Sequence, residues 1–178
     1  MPAGRPSEKL TQARLKELIH YNPETGVFSW VKSHRGVRPG QCGRVTYAGY
    51  HEICVDHTLY RSNRLAMLYM KGYLPERLVD HKNRITTDNR WENLREATYS
   101  QNAANVSLKT SNTTGCQGVV WDKARGKWRV QIRIDGRKTN LGRFECVDEA
   151  IHVHDTAALK AFGEFANLNW PREFYAAI

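Results

Sequence analysis

The chain has 178 residues, with 27 Lys and Arg against 18 Asp and Glu and a formal net charge of +9. That length holds one ordinary domain or two small ones, and the positive excess favours nucleic acid over a membrane, because no long apolar span is visible. An N-terminus without an apolar signal segment predicts an intracellular protein that is not secreted. A disulfide framework or a structural zinc site is disfavoured, since no C-x-x-C pair occurs among the scattered cysteines Cys42, Cys54, Cys116 and Cys146.

A flexible tail is predicted over residues 1–9, followed by a helix. Leu15, Leu18 and Ile19 recur at three- and four-residue spacing among charged residues, which is typical of a helix with one buried face. Turn-forming residues at 21–26 are expected to end this helix.

Short strands around a basic loop are predicted next. Residues 27–31 indicate a strand, and the alternation over 44–47 and 50–55 indicates a hairpin. Arg35 and Arg38 lie in the Gly- and Pro-rich loop between them and are candidates for contact with a DNA backbone, where cations gain by releasing counterions. A merely solvated loop is the alternative.

A second helix, around residues 65–69 and ending at Gly72, leads into the polar segment 78–105. This segment opens with Asp80 and His81 at the end of an apolar run, and neighbouring side chains on a strand face opposite ways. A histidine is the natural base for phosphodiester hydrolysis, because its pKa lies near working pH. One carboxylate with amide oxygens is a hard ligand set that suits Mg²⁺ or Mn²⁺ and suits zinc poorly.

The order D-H-x-N-x(4)-D-N-R-x-x-N-L-R-x-x-T-x-S-x-N resembles the HNH endonucleases of phages and mobile introns, the ββα-metal nuclease group. The upstream pattern L-T-Q-x-R-L-K-E-L-x-x-Y-x-P-E-T-G-x-F-x-W is similar to their lead-in, so the resemblance covers residues 10–105. It implies that His81 is the general base and that Asp80 and Asn102 hold one Mg²⁺ or Mn²⁺ per chain. Asn93 would be the central catalytic Asn, which holds the loop by hydrogen bonds to its backbone.

Three positions depart from that family pattern. Arg84 stands where a loop glycine is common, and Arg adopts positive φ less readily, so the loop is expected to bend differently or Arg84 to reach a phosphate. Asn63 replaces a histidine, so it can hydrogen-bond but cannot titrate, and reduced activity is one consequence. Asn102 ends the motif in place of a histidine and keeps the metal bound by oxygen.

The second half predicts a linker at 106–114, then three short strands and one helix, with a tail at 172–178. Turn formers dominate the linker, and the stretch 126–133 alternates cleanly between apolar and polar residues. A helix is expected over 148–162, with alanines including Ala161 packed on the apolar face of the sheet. The open face would fit the major groove of DNA, through Gln117, Arg129, Gln131, Arg133, Lys138 and Asn140.

The pattern G-V-x-W…G-K-W-x-V-x-I…G-x-x-x-x-L-G-x-F…D-E-A…D-x-A-A…F-G…A-x-L-N-W is similar to the plant AP-two/ERF DNA-binding domain. The resemblance implies such a domain over residues 115–171. Several DNA-facing positions differ from the plant residues, so the plant recognition site is not implied. Cys146 stands where a capping Thr is common and His154 where Tyr is common, which implies effects on stability.

The sequence therefore predicts an α+β protein: an N-terminal ββα-metal (HNH) nuclease module, a linker, and a C-terminal three-stranded antiparallel sheet packed on one helix. The expected function is a metal-dependent, site-specific DNA endonuclease of the homing type that acts on double-stranded DNA. A monomer, or a transient dimer, would nick one strand per chain and leave 5′-phosphate and 3′-hydroxyl ends, in the host cytoplasm if phage-encoded. The alternatives are a DNA-binding regulator with a degenerate nuclease centre and an RNA-directed or structure-specific nuclease.

Overall fold

The computed structural model describes residues 10–32, 40–108 and 110–175. Its chain divides into two compact units, Met1–Glu96 and Ala97–Ile178. Helices and strands are mixed in both, and the three-stranded sheets are small and antiparallel. The predicted tail at 1–9 and the candidates Arg35 and Arg38 lie outside the described residues.

The first unit places its helices against short strands. Its described elements are α1 (Gln12–Leu18), β1 (Ile19–Tyr21), β2 (Phe28–Trp30), β3 (Gly40–Gln41), β4 (Arg44–Val45), β5 (His51–Val55), β6 (Thr58–Arg61), α2 (Ser62–Lys71), β7 (Leu78–His81) and β8 (Leu94–Ala97), the last reaching the boundary. The sheet orders are β1-β2-β3, β4-β5-β6 and β7-β8. Buried side chains from α1, β1, β2, β5 and α2 form one apolar core.

Two sequence predictions in this unit need correction. Ile19 was expected in the helix, but α1 ends at Leu18 and Ile19 pairs with Trp30 in the sheet. Ile19 is fully buried there, and a β-branched side chain fits a strand well. The strand β6 was not predicted, because its turn is made by Asp56 and His57 at positive φ rather than by glycine.

The second unit is a three-stranded antiparallel sheet covered by a helix. Its described elements are α3 (Tyr99–Ala104), β9 (Val119–Asp122), β10 (Lys127–Ile134), β11 (Arg137–Phe144) and α4 (Val147–Phe162), with sheet order β11-β10-β9. Val119 and Val130 are fully buried beneath Ala150 of α4. These elements lie close to their predicted positions, although Ala161 is exposed rather than packed.

The segment predicted as a linker is held in place by side-chain hydrogen bonds. Asn112 accepts from the backbone N–H groups of Thr114 and Gly115 and donates to the Cys116 carbonyl. The Thr114 hydroxyl donates to the Val119 carbonyl at 2.8 Å. The division between units falls at residue 96, because Ala97 and α3 pack into a core of the second unit.

The last four described residues, within the stretch 172–178 predicted as a tail, are also folded. Residues Arg172–Tyr175 form a 3₁₀ turn. Tyr175 is buried and donates its hydroxyl to Asp155 at 3.0 Å, while Arg172 donates to three carbonyls that follow α4. Within the described ranges, no helix combines the length and apolar character of a membrane span.

Candidate functional site

Asp80 and His81 form the end of β7 and are both buried, at 6% and 4% exposure. A hydrogen bond from the Asn63 amide to the Val79 carbonyl, 3.0 Å long, ties α2 to this strand. Asn63 therefore supports the backbone beside the site, and it does so without a titratable group.

His81 is held by an amide across the loop. Its Nε2 lies 3.2 Å from Oδ1 of Asn89, whose own amide nitrogen donates to the Thr87 carbonyl. This orientation makes Nε2 the donor and leaves the lone pair of the neutral ring on Nδ1. Burial lowers the pKa of His81, against opposing effects of the Asn89 hydrogen bond and the nearby carboxylates. The ring is thus in its neutral, proton-accepting form at pH 7.

Asp80 is bound by an arginine from the neighbouring strand. Nε of Arg95 lies 2.9 Å from Oδ2 of Asp80, and the two side chains are only 10% and 7% exposed. The charge of this buried carboxylate is therefore balanced within the protein. Arg95 belongs to the Asn-Leu-Arg portion of the motif, but its position in the sequence does not predict that it pairs with Asp80.

Asn93 fixes the loop that follows His81. Its Oδ1 accepts from the Asn83 N–H at 2.9 Å, and its Nδ2 donates to Asn83 Oδ1 and to the Asp88 carbonyl. The backbone N–H of Lys82 also donates to the Asn93 carbonyl. This buried amide thus joins both ends of the loop.

Asp88 stabilises the same loop by accepting hydrogen bonds from residues on either side of it. It accepts from Arg90 at 2.7 Å and from the Asn83 amide. The hydrogen bonds with Arg90 are the main reason that the pKa of Asp88 falls to about 2. Asp88 is therefore ionised throughout the neutral range and holds the turn before Asn93.

Arg84 adopts φ of +65°, the left-handed conformation that a glycine would supply. The loop thus takes a positive φ at this position without a glycine. The neighbouring Ile85 is 55% exposed. Its N–H donates to Asn83 Oδ1.

The lead-in turn packs against this loop. The buried Tyr21 hydroxyl donates to the Asn89 carbonyl at 2.7 Å, and the Trp91 N–H donates to the Pro23 carbonyl. A side chain at Gly26 would come within 2.5 Å of the backbone of Asn89 and Arg90, so only glycine fits there. The upstream pattern is therefore part of the architecture that fixes residues 88–91.

The donor chemistry around Asp80 fits a hard divalent ion. Among the described residues, no group of three or more His, Cys, Asp or Glu is placed to hold a metal. Mg²⁺ needs fewer protein ligands than such a group supplies, because it keeps several waters and binds through one or two protein oxygens together with substrate phosphates. Asp80 offers one buried carboxylate of this chemical kind. The other predicted ligand, Asn102, lies on α3 of the second unit.

The predicted DNA-facing residues of the second unit line up across two strands. Arg133 is paired with Lys138 and Gln131 with Asn140 in the β10–β11 ladder. Arg129 is paired with Arg143, an exposed arginine that the alternating pattern of residues 126–133 does not reach.

Contacts within the unit already orient several of these side chains. Arg133 donates to the Gly136 carbonyl at the hairpin turn, and Arg143 donates to Asp122 at 3.0 Å. The backbone of Gln117 is fixed by Asn169, which both accepts from its N–H and donates to its carbonyl. Gln117, Gln131 and Arg133 also line a cavity of about 180 Å³.

Comparison with known proteins bears on the segment that carries Asp80 and His81. Residues 60–104 match the family model described as HNH endonuclease. The match spans Asp80, His81, Asn93 and Asn102. Protein 3.8 of Escherichia phage T7 is 28% identical over 96 residues, which are 54% of this chain and 75% of that protein.

A solved structure, titled "DNA binding and cleavage by the HNH homing endonuclease I-HmuI", is a more distant likeness. Its TM-score is 0.40 at 19% sequence identity, and the alignment covers 80% of this chain and 84% of that chain.

Proposed function

We propose that this protein is a metal-dependent DNA endonuclease of the homing type, in which the first unit cuts and the second supplies sequence preference. The observation that carries the proposal is His81: a buried, neutral imidazole oriented by Asn89 beside the carboxylate of Asp80. It lies within the segment that matches the HNH endonuclease family model.

The chemistry follows from the state of the histidine. Nδ1 of His81 takes a proton from a water as the water oxygen bonds to phosphorus and the bond from phosphorus to the 3′ oxygen breaks. The 3′ oxygen takes a proton from a solvent water and leaves as a hydroxyl, and the phosphate remains on the 5′ end. Mg²⁺ or Mn²⁺, with Asp80 as its ligand from the first unit, would supply charge stabilisation at the phosphate and at the leaving oxygen.

Asn89, Asn93 and Arg95 are positioning residues in this scheme. Asn89 sets the tautomer and orientation of His81, and Asn93 keeps the loop closed behind it. Arg95 holds the carboxylate of Asp80 at the strand end. One His81 per chain predicts that a monomer nicks one strand, so a double-strand break needs a second chain or a second event.

The proposal is tested by nicking of supercoiled plasmid with Mg²⁺ or Mn²⁺. Wild type should nick, whereas His81→Ala and Asp80→Ala should lose nearly all activity while still binding DNA. His20→Ala is the matched control, because His20 is an exposed histidine on β1 of the same unit. Equal activity of wild type and His81→Ala with every divalent ion tried would end the enzyme interpretation.

A non-catalytic DNA-binding protein is the second candidate, and the ion pair of Arg95 with Asp80 favours it, since this arginine competes with a cation for the carboxylate. The same plasmid assay separates the two, because a regulator would bind without nicking. Running the assay on duplex DNA, single strands and RNA tests the further alternative of an RNA-directed or structure-specific nuclease.

Sequence preference is proposed to reside on the open face of the second unit. Arg129→Ala and Arg133→Ala should each weaken binding to the preferred site by roughly 1–3 kcal/mol if they contact guanine. Arg137→Ala is the control, since Arg137 pairs with Ile134, which lies on the opposite, apolar face. Equal losses on random DNA would show that the two arginines hold phosphates only.

A further inference from the structure

The ring of Tyr50 lies between His81 and an exposed arginine, Arg61. The guanidinium carbon of Arg61, at the end of β6, is 4.1 Å from the ring centroid of Tyr50. The Tyr50 ring centroid is in turn 6.5 Å from that of His81. Arg61, Tyr50 and His81 thus form a row within the first unit.

Arg61 stacks on Tyr50 although a carboxylate lies opposite it on the neighbouring strand. Across the β5–β6 ladder Arg61 is paired with Glu52, yet the guanidinium lies over the tyrosine ring and makes no ion pair with any described carboxylate. Tyr50 is itself fixed at the hairpin, where its carbonyl accepts from the Thr46 N–H and its N–H donates to the Thr46 hydroxyl. The platform beneath Arg61 is therefore anchored.

The donors of Arg61 are available for a ligand, unlike those of several arginines in the same unit. Arg95 and Arg90 are bound to carboxylates, and Arg64 donates to the carbonyls of Pro75 and Arg77. Arg61 makes no hydrogen bond to any described residue. When the face of a guanidinium stacks on a ring, its edge N–H groups remain available to bind an anion through two parallel hydrogen bonds, in bidentate geometry.

We propose that Arg61, held on the Tyr50 ring, binds a phosphate of the DNA backbone next to the phosphate attacked at His81. This assignment rests on the proposed nuclease function. It identifies the group that positions the DNA strand relative to the general base, His81. Arg61 binds substrate directly, whereas Tyr50 is a positioning residue. The interaction is electrostatic and independent of base sequence, so it fits backbone rather than base recognition.

Salt dependence of binding tests the assignment apart from catalysis. In a His81→Ala background, Arg61→Ala should weaken duplex DNA binding and reduce the slope of log K against log salt by about 1, the value for one lost phosphate contact. Arg14→Ala removes the same charge from an arginine already bound to Asp56 and Glu17, so its slope should stay close to that of the parent. Thermal unfolding confirms that both variants are folded.

The platform predicts a second, graded result. Tyr50→Phe keeps the ring and should bind and nick like wild type, whereas Tyr50→Leu should approach the weakened binding of Arg61→Ala. With His81 intact, Arg61→Ala should raise KM for plasmid nicking by about tenfold, with a smaller effect on kcat, because the phosphate is bound in the ground state as well.

The possible failures are distinguishable. If wild type nicks DNA but Arg61→Ala matches Arg14→Ala in affinity and in salt slope, the phosphate assignment is wrong and the nuclease proposal stands. If Tyr50→Leu binds like wild type while Arg61→Ala does not, the stacked platform is overturned. Absence of DNA binding by wild type would overturn both proposals together.

Discussion

The backbone at Arg84 is strained, since its φ of +65° brings a Cβ into the left-handed region. For a residue other than glycine this conformation costs roughly 1–2 kcal/mol. The Asn83 side chain and the hydrogen bonds of Asn93 hold the loop in this shape despite the cost. The strain is therefore balanced by polar contacts on either side.

Arg84→Gly should be more stable than Arg84→Ala by about 1 kcal/mol, because both lose the guanidinium and only glycine relieves the strain. Chemical denaturation of the two variants measures the difference directly. If Arg84 also touches DNA, both should bind DNA equally weakly. Equal stabilities would mean that the loop relaxes when the arginine is removed.

The buried Asn93 side chain makes three hydrogen bonds, to Asn83 and Asp88, so Asn93→Ala should cost about 2 kcal/mol by leaving the loop donors and acceptors unsatisfied. Nicking should fall along with stability, because the same loop carries Asn89. Glu92→Gln is the control, since Glu92 is 76% exposed in the same 3₁₀ turn. A variant at Asn93 that is as stable as this control would contradict the bracing role.

Chain order alone identified Asp80, His81 and Asn93 as candidates, because the family motif fixes their sequence positions. It did not predict the contact of Asn89 with His81 or that of Arg95 with Asp80. These contacts depend on how the loop and the strand β8 pack against β7. Motif spacing records which residues are present. Their pairing is set by side-chain direction in three dimensions.

The helix α4 begins without a side-chain cap. Cys146 has the extended φ and ψ of an N-cap residue but makes no capping hydrogen bond, and Glu149 stands at the third helical position. Cys146→Thr should therefore create a capping box with Glu149 and raise stability by about 1 kcal/mol. Cys146→Val has the same shape without the oxygen and should not gain. The denaturation midpoints of the two variants test this, and equal midpoints would exclude the cap.

Elements with strong periodicity were predictable from sequence, while those set by tertiary contacts were not. The strands β10 and β11 and the helix α4 follow clear alternation or helical spacing. Ile19 continues the helical spacing of α1, yet pairing with Trp30 places it in a strand. The stretch predicted as a linker is ordered for a different reason: Asn112 and Thr114 supply their own hydrogen bonds to the local backbone.

At the scale of the whole molecule, a buried carboxylate ties the last described residues to the second unit. Asp155 is fully buried on α4 and accepts from the backbone N–H groups of Asn169 and Trp170 and from the Tyr175 hydroxyl. His154 lies 3.0 Å away through Nδ1. Asp155 thus holds Tyr175 and the stretch at 169–170 together, and Asn169 in turn fixes the backbone of Gln117.

Acid should loosen this unit through Asp155. Burial raises the pKa of the carboxyl, but the hydrogen bonds of His154, Trp170, Tyr175 and Asn169 together outweigh it, so the pKa is lowered. The network therefore gives its full stability above the unfolded value of about 3.9 and loses it as pH falls through the lower folded pKa. Asp155→Asn should be less stable at pH 7, and its deficit relative to wild type should shrink below about pH 4.

Hydrogen exchange of the α4 amides measures this effect within the second unit. Asp135→Asn is the matched control, because Asp135 is exposed at a hairpin turn whose positive φ asparagine tolerates. Its difference from wild type should stay small and constant with pH. A deficit of Asp155→Asn that persisted unchanged into acid would show that the shape of the side chain, rather than its charge, holds residues 169–175 in place. The charge-based account predicts instead that acid and the substitution release the same segment, and with it the backbone support of Gln117 on the proposed DNA-binding face.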